Sequence, residues 1–172
     1  MARRALAATA ALVVVGLVAG CSGSDAKKEY DVPRAYCGVS LDPELTSPFL
    51  PAGKKIKVGQ SRPVPSRENC RADVDGHWAL TLNLEWWRED VSSTLVASGN
   101  PRLRKTELSP DGGFYSGTGA VVPVEGCRNP GHAEQLLYTS IQISDPDLGD
   151  TAAMKKLATA FTQAVGKSEE CS

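Results

Sequence analysis

The clearest pattern along the chain is an alternation of apolar and polar residues over positions 78–86. The apolar residues fall on every second position: Trp78, Leu80, Leu82, Leu84 and Trp86. This is the period of a β-strand that buries one face. Residues 70–74 alternate in the same way, and Asp75-Gly76 stands between the two segments. The pattern therefore predicts a β-hairpin.

The length of the hairpin turn decides which apolar residues share a face. A two-residue turn would pair Val74 with His77 and would place the apolar residues of the two strands on opposite faces. A three-residue turn over residues 75–77 brings them all to one face. We therefore expect the longer turn, with His77 in the turn and outside any functional site.

Four further strands are expected, over residues 55–60, 93–98, 114–124 and 135–144. Pro123 should end the third of these or place it at a sheet edge.

The period changes to that of a helix near the end of the chain. One apolar stripe recurs at spacings of three and four: Met154, Leu157, Ala158, Phe161, Ala164 and Val165. Asp147 or Asp150 can cap the start of this helix, and Gly166 can end it. The order of elements predicts an α+β fold, an antiparallel sheet of about five to six strands with the C-terminal helix packed on one face.

The first 20 residues have the organisation of an export signal. Arg3 and Arg4 form a positive segment, and an apolar run that is short for a membrane span follows. The run ends in Leu17-Val18-Ala19-Gly20-Cys21, which resembles the lipobox of bacterial lipoproteins. That resemblance implies that the Cys21 thiol receives a diacylglyceryl group and becomes the first residue of the mature protein. A signal cleaved elsewhere, an uncleaved anchor and a buried helix are the alternatives, and the arginine pair leaves Sec and twin-arginine export open.

This processing would divide the chain into three parts. Residues 1–20 form the signal peptide, and residues 21–33 comprise the lipidated Cys21 and a flexible tether with few apolar side chains to bury. Residues 34–172 are of single-domain size. Each buried CH₂ of an acyl chain contributes about 0.8 kcal/mol, so two chains would hold the domain at the outer face of the cell membrane.

The charge of the chain argues against a nucleic-acid partner. Residues 1–20 hold two of the 19 basic residues and none of the 20 acidic ones, which leaves a net charge of −3 on the remainder. Proteins that bind nucleic acids usually carry a basic face and a high pI.

Four cysteines follow the lipobox: Cys37, Cys70, Cys127 and Cys171. An even number in an exported domain predicts two disulfides. Three pairings are possible, and we favour Cys37 with Cys70 and Cys127 with Cys171, because each bond would hold a terminal segment against a strand end. A zinc site is the alternative, but the chain lacks a C-x-x-C motif, and its two histidines lack suitably spaced partners. We expect no metal or other cofactor.

An acidic cluster surrounds Trp86-Trp87, formed by Glu85, Glu89 and Asp90. Such a group could serve carboxylate catalysis or the stacking of a sugar ring. On a strand, however, Trp86 continues the buried face, while Trp87 points away from it. An outward tryptophan can anchor a ligand or be covered by a loop. Trp87 is therefore the candidate ligand-binding residue.

Two other motifs have structural interpretations. The segment 145–150 resembles the start of a calcium loop, but Gly149 and Lys156 occupy ligand positions, so helix capping is the better interpretation. The segment 116–119 contains G-x-G without the third glycine of a phosphate-binding loop, and a glycine in a strand is expected there.

Catalytic signatures are missing from the sequence. It contains neither G-x-S-x-G nor H-E-x-x-H. Because catalytic triads are assembled in space, a serine activated by His132 remains an alternative.

The layout of the exported part supports a broader resemblance. It combines Cys37, the helix-start signal Asp42-Pro43-Glu44, Cys70 at a hairpin, Cys127, and a helix that ends near Cys171. With the lipobox, this layout resembles the small cell-envelope lipoproteins of unknown function found in actinobacteria. The resemblance implies location and architecture and contributes no catalytic residues. We therefore expect a membrane-anchored extracytoplasmic lipoprotein, a non-catalytic module for an unknown envelope ligand or protein, with a cell-envelope hydrolase as the alternative.

Overall fold

The computed structural model describes residues 27–104 and 106–171. The predicted signal peptide and Cys21 lie outside the described residues. The strands are β1 (Ala35–Tyr36), β2 (Val39–Ser40), β3 (Ile56–Val64), β4 (Arg67–Val74), β5 (His77–Arg88), β6 (Phe114–Tyr115), β7 (Gly119–Pro123) and β8 (Gln135–Ile143). The α-helices are α1 (Pro43–Thr46), α2 (Ser93–Ser98) and α3 (Thr151–Val165). None of the helices in this part of the chain has the length and apolar character needed to span a bilayer.

Six strands form one antiparallel sheet in the order β3-β4-β5-β8-β7-β6. The remaining two, β1 and β2, form a small separate hairpin. Helix α3 packs on one face of the large sheet, mainly against β7 and β8. The predicted α+β architecture is confirmed.

The main core lies between α3 and the sheet. The apolar residues of the β5 alternation, Leu80, Leu82, Leu84 and Trp86, all face this core. From the helix, Met154, Leu157 and Phe161 are fully buried against them. Full burial of one such side chain contributes about 1.5–3 kcal/mol, so the two matched patterns hold the helix on the sheet.

The turn between β4 and β5 has two residues, so the prediction of a three-residue turn is wrong. Val74 pairs directly with His77. The two turn residues, Asp75 and Gly76, have φ values of 50° and 84°. Left-handed conformations at both positions match the twist of the flanking strands, and aspartate and glycine tolerate them well.

A β-bulge at Ala79 resolves the conflict of register that the sequence posed. Asp73 pairs with Trp78, whereas Ala72 pairs with Leu80, which leaves Ala79 without a partner opposite it. The extra residue shifts the alternation by one, so Leu80 shares the helix-packed face with Ala72, while Trp78 does not. The prediction that Ala72 and Leu80 share the core face was correct. The predicted length of the turn and the predicted face of Trp78 were wrong.

Residues 93–98 form α2, so the prediction of a strand there is wrong. The Ser92 side chain caps this helix by accepting a hydrogen bond from the Leu95 backbone N–H. Val96 and Ala97 then share the side that packs against the sheet. The cap and the packing therefore determine the secondary structure of this segment. It is too short for its hydrophobic period to distinguish a strand from a helix.

The predicted strand 114–124 is divided into β6 and β7. The Ser116 hydroxyl accepts a hydrogen bond from the Thr118 backbone N–H and closes a turn between them. Gly117 lies in this turn, and Gly119 begins β7, which ends at Pro123 as predicted.

Both favoured disulfides are confirmed, Cys37–Cys70 and Cys127–Cys171. The first joins the turn of the β1–β2 hairpin to β4, and the second joins the C-terminal tail to the segment after β7.

Two of the three aspartates of segment 145–150, Asp145 and Asp150, act as caps. Asp150 caps α3 by accepting from the Ala153 N–H, and Asp145 caps the short 3₁₀-helix Pro146–Leu148. Gly166 stands at the end of α3, as predicted.

Residues 28–30, in the predicted tether, lie against the domain. The Glu29 backbone N–H donates to the Gly53 carbonyl, and the Tyr30 hydroxyl donates to the Pro51 carbonyl.

Candidate ligand-binding cleft

The sheet face opposite α3 is polar along its middle strands. A row of three residues crosses β4, β5 and β8 in direct register: Asn69 pairs with Asn83, and Asn83 pairs with Ser140. Arg67 and Glu85 form the next pair along the same face. These side chains form the floor of a cleft of about 270 Å³.

The connection between β5 and β6 forms a wall of this cleft. Val96 of α2 and Asn100, which follows that helix, line it. Asn100 is buried, its Nδ2 donates to the Ile141 carbonyl at 3.2 Å, and its Oδ1 accepts from the Arg102 backbone N–H. The wall is therefore attached to the backbone of β8 by a side chain whose own hydrogen bonds are satisfied.

A chain of hydrogen bonds orders the floor. Asn83 Nδ2 donates to Ser140 Oγ at 2.9 Å, and Ser140 Oγ donates to Glu85 Oε1 at 2.7 Å. Arg67 donates to the other carboxylate oxygen, Glu85 Oε2, at 2.9 Å. Both oxygens of Glu85 are thus engaged inside the protein, which fixes its side chain and those of its neighbours.

Two residues that line the cleft have a buried polar atom without a partner. In the described part of the chain, three buried side-chain atoms make no hydrogen bond: Asn69 Oδ1, Trp87 Nε1 and the Tyr36 hydroxyl. The first two belong to cleft residues, whereas Tyr36 belongs to the main core. All three atoms are closed off from solvent, so they mark incomplete pairing inside the fold and are not groups that the cleft presents to a ligand.

Trp87 lies on the outer face, as the strand pattern predicted. Its ring packs against a second, smaller apolar cluster under α2, which includes Val96, Phe114, Val121 and Tyr138. The indole also lines the cleft and is half-buried. Trp87 is thus partly covered, by α2 and its neighbours, and its role in ligand binding stays a prediction.

The predicted acidic cluster is not a single site. Glu85 lies on the floor of the cleft, whereas Glu89 and Asp90 line a separate, more open surface cavity beside His132. Asp90 is exposed and pairs with Arg88 at 2.8 Å. The cavity at His132 is larger, about 620 Å³, but it is shallow and more open to solvent than the cleft. We therefore take the cleft as the candidate site.

The side chain of His132 is held by two neighbouring side chains. Its Nδ1 shares a hydrogen bond with Gln135 Oε1, and its ring stacks on the indole of Trp86. The other histidine, His77, is exposed at the start of β5.

The potential metal ligands found together within the described residues are Cys37, Cys70 and Glu68. The two sulfurs are joined in a disulfide, so neither is a thiolate that could bind a metal. Glu68 accepts hydrogen bonds from Gln60 and Arg62.

The sequence signal for the cleft was present but not recognised. Thr81, Asn83 and Glu85 alternate with the core leucines of β5, so their polar face was visible. Asn69 and Ser140 likewise alternate with the buried residues of their own strands, but only strand register brings them beside Asn83. Asn100 carried no local signal, because it reaches the cleft through the path of the β5–β6 connection.

Comparison with known proteins returns no match: neither a family profile, nor a curated protein, nor a solved structure is similar to this chain. The fold and the cleft alone therefore describe its class, an α+β domain with a small polar cleft on the face opposite its C-terminal helix.

Proposed function

We propose that this protein is a lipid-anchored extracytoplasmic lipoprotein whose domain binds a small polar molecule in the cleft. The observation that carries the proposal is the cleft itself, a concave site of about 270 Å³ where polar side chains from three neighbouring strands lie beside Trp87 and Val96. Small-molecule sites combine such a concave surface with a few convergent polar groups.

The proposed location rests on the residues before the domain. The lipobox that ends at Cys21 implies a diacylglyceryl anchor, and the layout of the exported part resembles that of actinobacterial envelope lipoproteins. The two disulfides support the same location, because such bonds persist in oxidising compartments outside the cytoplasm.

The hydrolase alternative receives no support from the geometry. It requires His132 within hydrogen-bond reach of a serine or a carboxylate. The side chain that bonds the imidazole is instead the Gln135 amide. The binding module is therefore the function that the contacts favour.

A comparison of two asparagines tests whether the Asn69 oxygen is unpaired in the fold. Asn69 and Asn83 face each other on neighbouring strands, but of the two side chains it is Asn83 that bonds Ser140, while the Asn69 oxygen has no partner. Asn69→Leu should leave the free energy of unfolding unchanged or raise it by about 1 kcal/mol, because it removes an unpaired buried oxygen. Asn83→Leu should lower it by about 1–3 kcal/mol. Urea denaturation of the full chain measures both, and an equal loss in the two variants would show that Asn69 has a partner without ligand.

Binding is tested with a panel of small polar molecules, namely amino acids, nucleosides, monosaccharides and small organic acids and amines. Titration calorimetry on the detergent-solubilised full chain should find at least one that binds. Asn69→Leu should weaken that binding by about three- to tenfold, the worth of one neutral hydrogen bond. Asp73→Asn, on the same strand and face but outside the cleft, is the matched control. If no molecule binds, or if Asn69→Leu changes nothing, the proposed site is wrong.

The anchor is tested separately by growing the expressing cells with radioactive palmitate. The wild-type chain should be labelled and found with the membrane, while Cys21→Ala should be unlabelled. Label retained by the alanine variant would refute the lipid anchor without bearing on the cleft.

A further inference from the structure

The N-terminal segment is fixed to one end of the large sheet. The Gly53 N–H donates to the Lys27 carbonyl, and the Glu29 N–H donates to the Gly53 carbonyl. The next residue along, Lys54, donates its backbone N–H to the carboxylate of Asp75 in the β4–β5 turn. The chain therefore enters the domain beside this turn, at what we call the entry end of the sheet.

A short stretch of chain separates the entry end from the proposed lipid. Cys21 precedes Lys27 by six residues, and each residue spans at most about 3.6 Å, so this stretch reaches at most about 20 Å. Strand β5, by comparison, has 12 residues and is about 40 Å long, and it runs from the entry end to the opposite end. A lipid on Cys21 thus keeps the entry end close to the membrane, whereas the opposite end can point away from it.

Lysines are concentrated at the entry end. Five of them, which we call the basic patch, come from the N-terminal segment, the segment before β3 and the start of β3: Lys27, Lys28, Lys54, Lys55 and Lys57. Four are exposed, and the fifth, Lys28, donates to the carbonyl and the hydroxyl of Ser47. Two carboxylates, Glu29 and Asp75, lie among the five lysines, which leaves an excess of three positive charges.

Further carboxylates at the entry end do little to neutralise the patch. Asp73 forms an ion pair with Arg71 at 2.6 Å. Asp145, Asp147 and Asp150 follow β8, which is separated from β3 by β4 and β5. Neighbouring strands are about 4.8 Å apart, so β8 lies about 14 Å from β3. This distance exceeds the Debye length of about 8 Å at physiological ionic strength.

The opposite end of the sheet is acidic. Six carboxylates lie in the segments that follow β5, β7 and α3 or precede β8: Glu89, Asp90, Glu125, Glu134, Glu169 and Glu170. Three cations accompany them in the same part of the structure: Arg88, Arg128 and Lys167. The ion pairs Arg62–Glu68 and Arg67–Glu85, near this end, add no net charge. An anionic surface would therefore attract one end of the domain and repel the other.

We propose that the basic patch rests on the anionic headgroups of the membrane that holds the anchor. The inference rests on the proposed function, because the lipid on Cys21 brings the entry end to the bilayer. Each lysine near an anionic surface adds to the attraction, and the lipid phosphates supply the matching charges. The domain then stands with β5 directed away from the membrane, and the cleft, on the middle strands, stays clear of the lipid.

Amine labelling on vesicles tests this contact residue by residue. The lipidated chain, purified from the expressing cells in detergent, is reconstituted into vesicles of phosphatidylcholine alone and of equal parts phosphatidylcholine and phosphatidylglycerol. Flotation shows whether the chain is bound, and an uncharged acetylating reagent with mass spectrometry gives the reaction rate of each lysine. Lys54 and Lys55 should react about fivefold more slowly on the phosphatidylglycerol vesicles. Lys167, at the acidic end, should react equally on both. Salt at about 1 M, where the Debye length is about 3 Å, should remove the difference.

Two matched variants separate the basic patch from the overall charge. The double variant Lys54→Gln, Lys55→Gln removes two positive charges from the patch and should remove most of the slowing at Lys57. The double variant Arg128→Gln, Lys167→Gln removes the same charge from the opposite end and should leave that slowing unchanged. All four substituted side chains are exposed. An equal loss in both variants would show that net charge, not the patch, directs the domain, and would overturn the inference.

The outcomes distinguish this inference from the proposed function. If the chain floats with both kinds of vesicle while Lys54 and Lys55 react equally on both, the anchor stands and the contact with anionic lipid is overturned. Slowing of Lys167 instead would place the acidic end on the membrane and would also overturn it. If the chain floats with neither kind of vesicle, the anchor fails and the inference fails with it.

Discussion

The imidazole of His132 lies flat on the indole of Trp86, with ring centroids 4.4 Å apart and planes inclined by 5°. The same indole donates its Nε1 hydrogen to Glu170 Oε1 at 2.8 Å. Glu170 directly precedes Cys171, which is bonded to Cys127. Trp86, the last apolar residue of the β5 alternation, is therefore covered on one side by the loop that carries His132 and on the other by the disulfide-bonded tail.

The stack should contribute to stability. His132→Ala is expected to lower the free energy of unfolding by about 0.5–1.5 kcal/mol, the worth of an aromatic pair. Urea denaturation followed by tryptophan fluorescence measures the loss. His77→Ala, at the exposed start of β5, is the matched control and should have almost no effect. Equal effects of the two substitutions would mean that the stack contributes nothing.

Removal of the second disulfide should release the tail from Trp86. The bond closes a segment of 44 residues. Chain entropy alone then predicts that the double variant Cys127→Ala, Cys171→Ala loses about 4 kcal/mol of stability. Thermal unfolding measures this loss. The native-state fluorescence of Trp86 should shift to longer wavelength as its contact with Glu170 is lost, and an unchanged spectrum would show that the tail stays in place without the bond.

The hairpin turn should not tolerate a side chain at Gly76. Its φ of 84° is strained for any residue with a Cβ atom, although open space surrounds the position. Gly76→Ala should therefore cost about 1 kcal/mol through the backbone alone. Gly59→Ala is the control, because a Cβ there also meets no atom and the backbone lies in β3 without a positive φ. That substitution should be neutral or slightly stabilising in urea denaturation, and similar losses in both variants would contradict the explanation by φ.

Two tyrosines should make the domain sensitive to strong base. Burial raises the pKa of Tyr36 to about 12, and burial followed by the charge of Asp111 raises the pKa of Tyr115 to about 12. An unfolded tyrosine has a pKa of about 10, so between these values the unfolded chain has lost protons that the folded protein keeps. Stability should therefore be unaffected below about pH 10 and should fall as the pH rises towards 12.

Denaturation at a series of pH values checks this, with tyrosinate absorbance as the second signal. Tyr36→Phe should flatten the decline, because it removes one of the tyrosines whose pKa is raised in the folded protein. A decline of the same steepness in that variant would show that the hydroxyl of Tyr36 is not responsible.

Local patterns were sufficient where neighbouring residues determine the structure. The alternation of leucines in β5 predicted both the strand and its buried face, and the spacing of Met154, Leu157 and Phe161 predicted α3 and its packed side. The compartment and the number of cysteines predicted two disulfides, and the strand ends favoured the pairing that the structure has.

Local patterns were misleading where a short segment fits two periods. Residues 93–98 suit a strand by composition, but the cap at Ser92 and the contacts of Val96 with Phe114 and Val121 make them helical. The bulge at Ala79 likewise reflects a competition between a favoured two-residue turn and a favoured core register. Both were decided by packing between segments, whose energy exceeds the local preference.

The sequence by itself determined the fold class, the two faces of β5, the helix α3 and the outward direction of Trp87, because these follow from the period of side chains along one segment. Only the tertiary structure decided that Trp87 stands at a cleft with Asn69 and Ser140. These three residues come from different strands and meet through register and through the path of the β5–β6 connection. Hydrogen bonds and burial between distant segments, not local periodicity, form the place where we propose that a ligand binds.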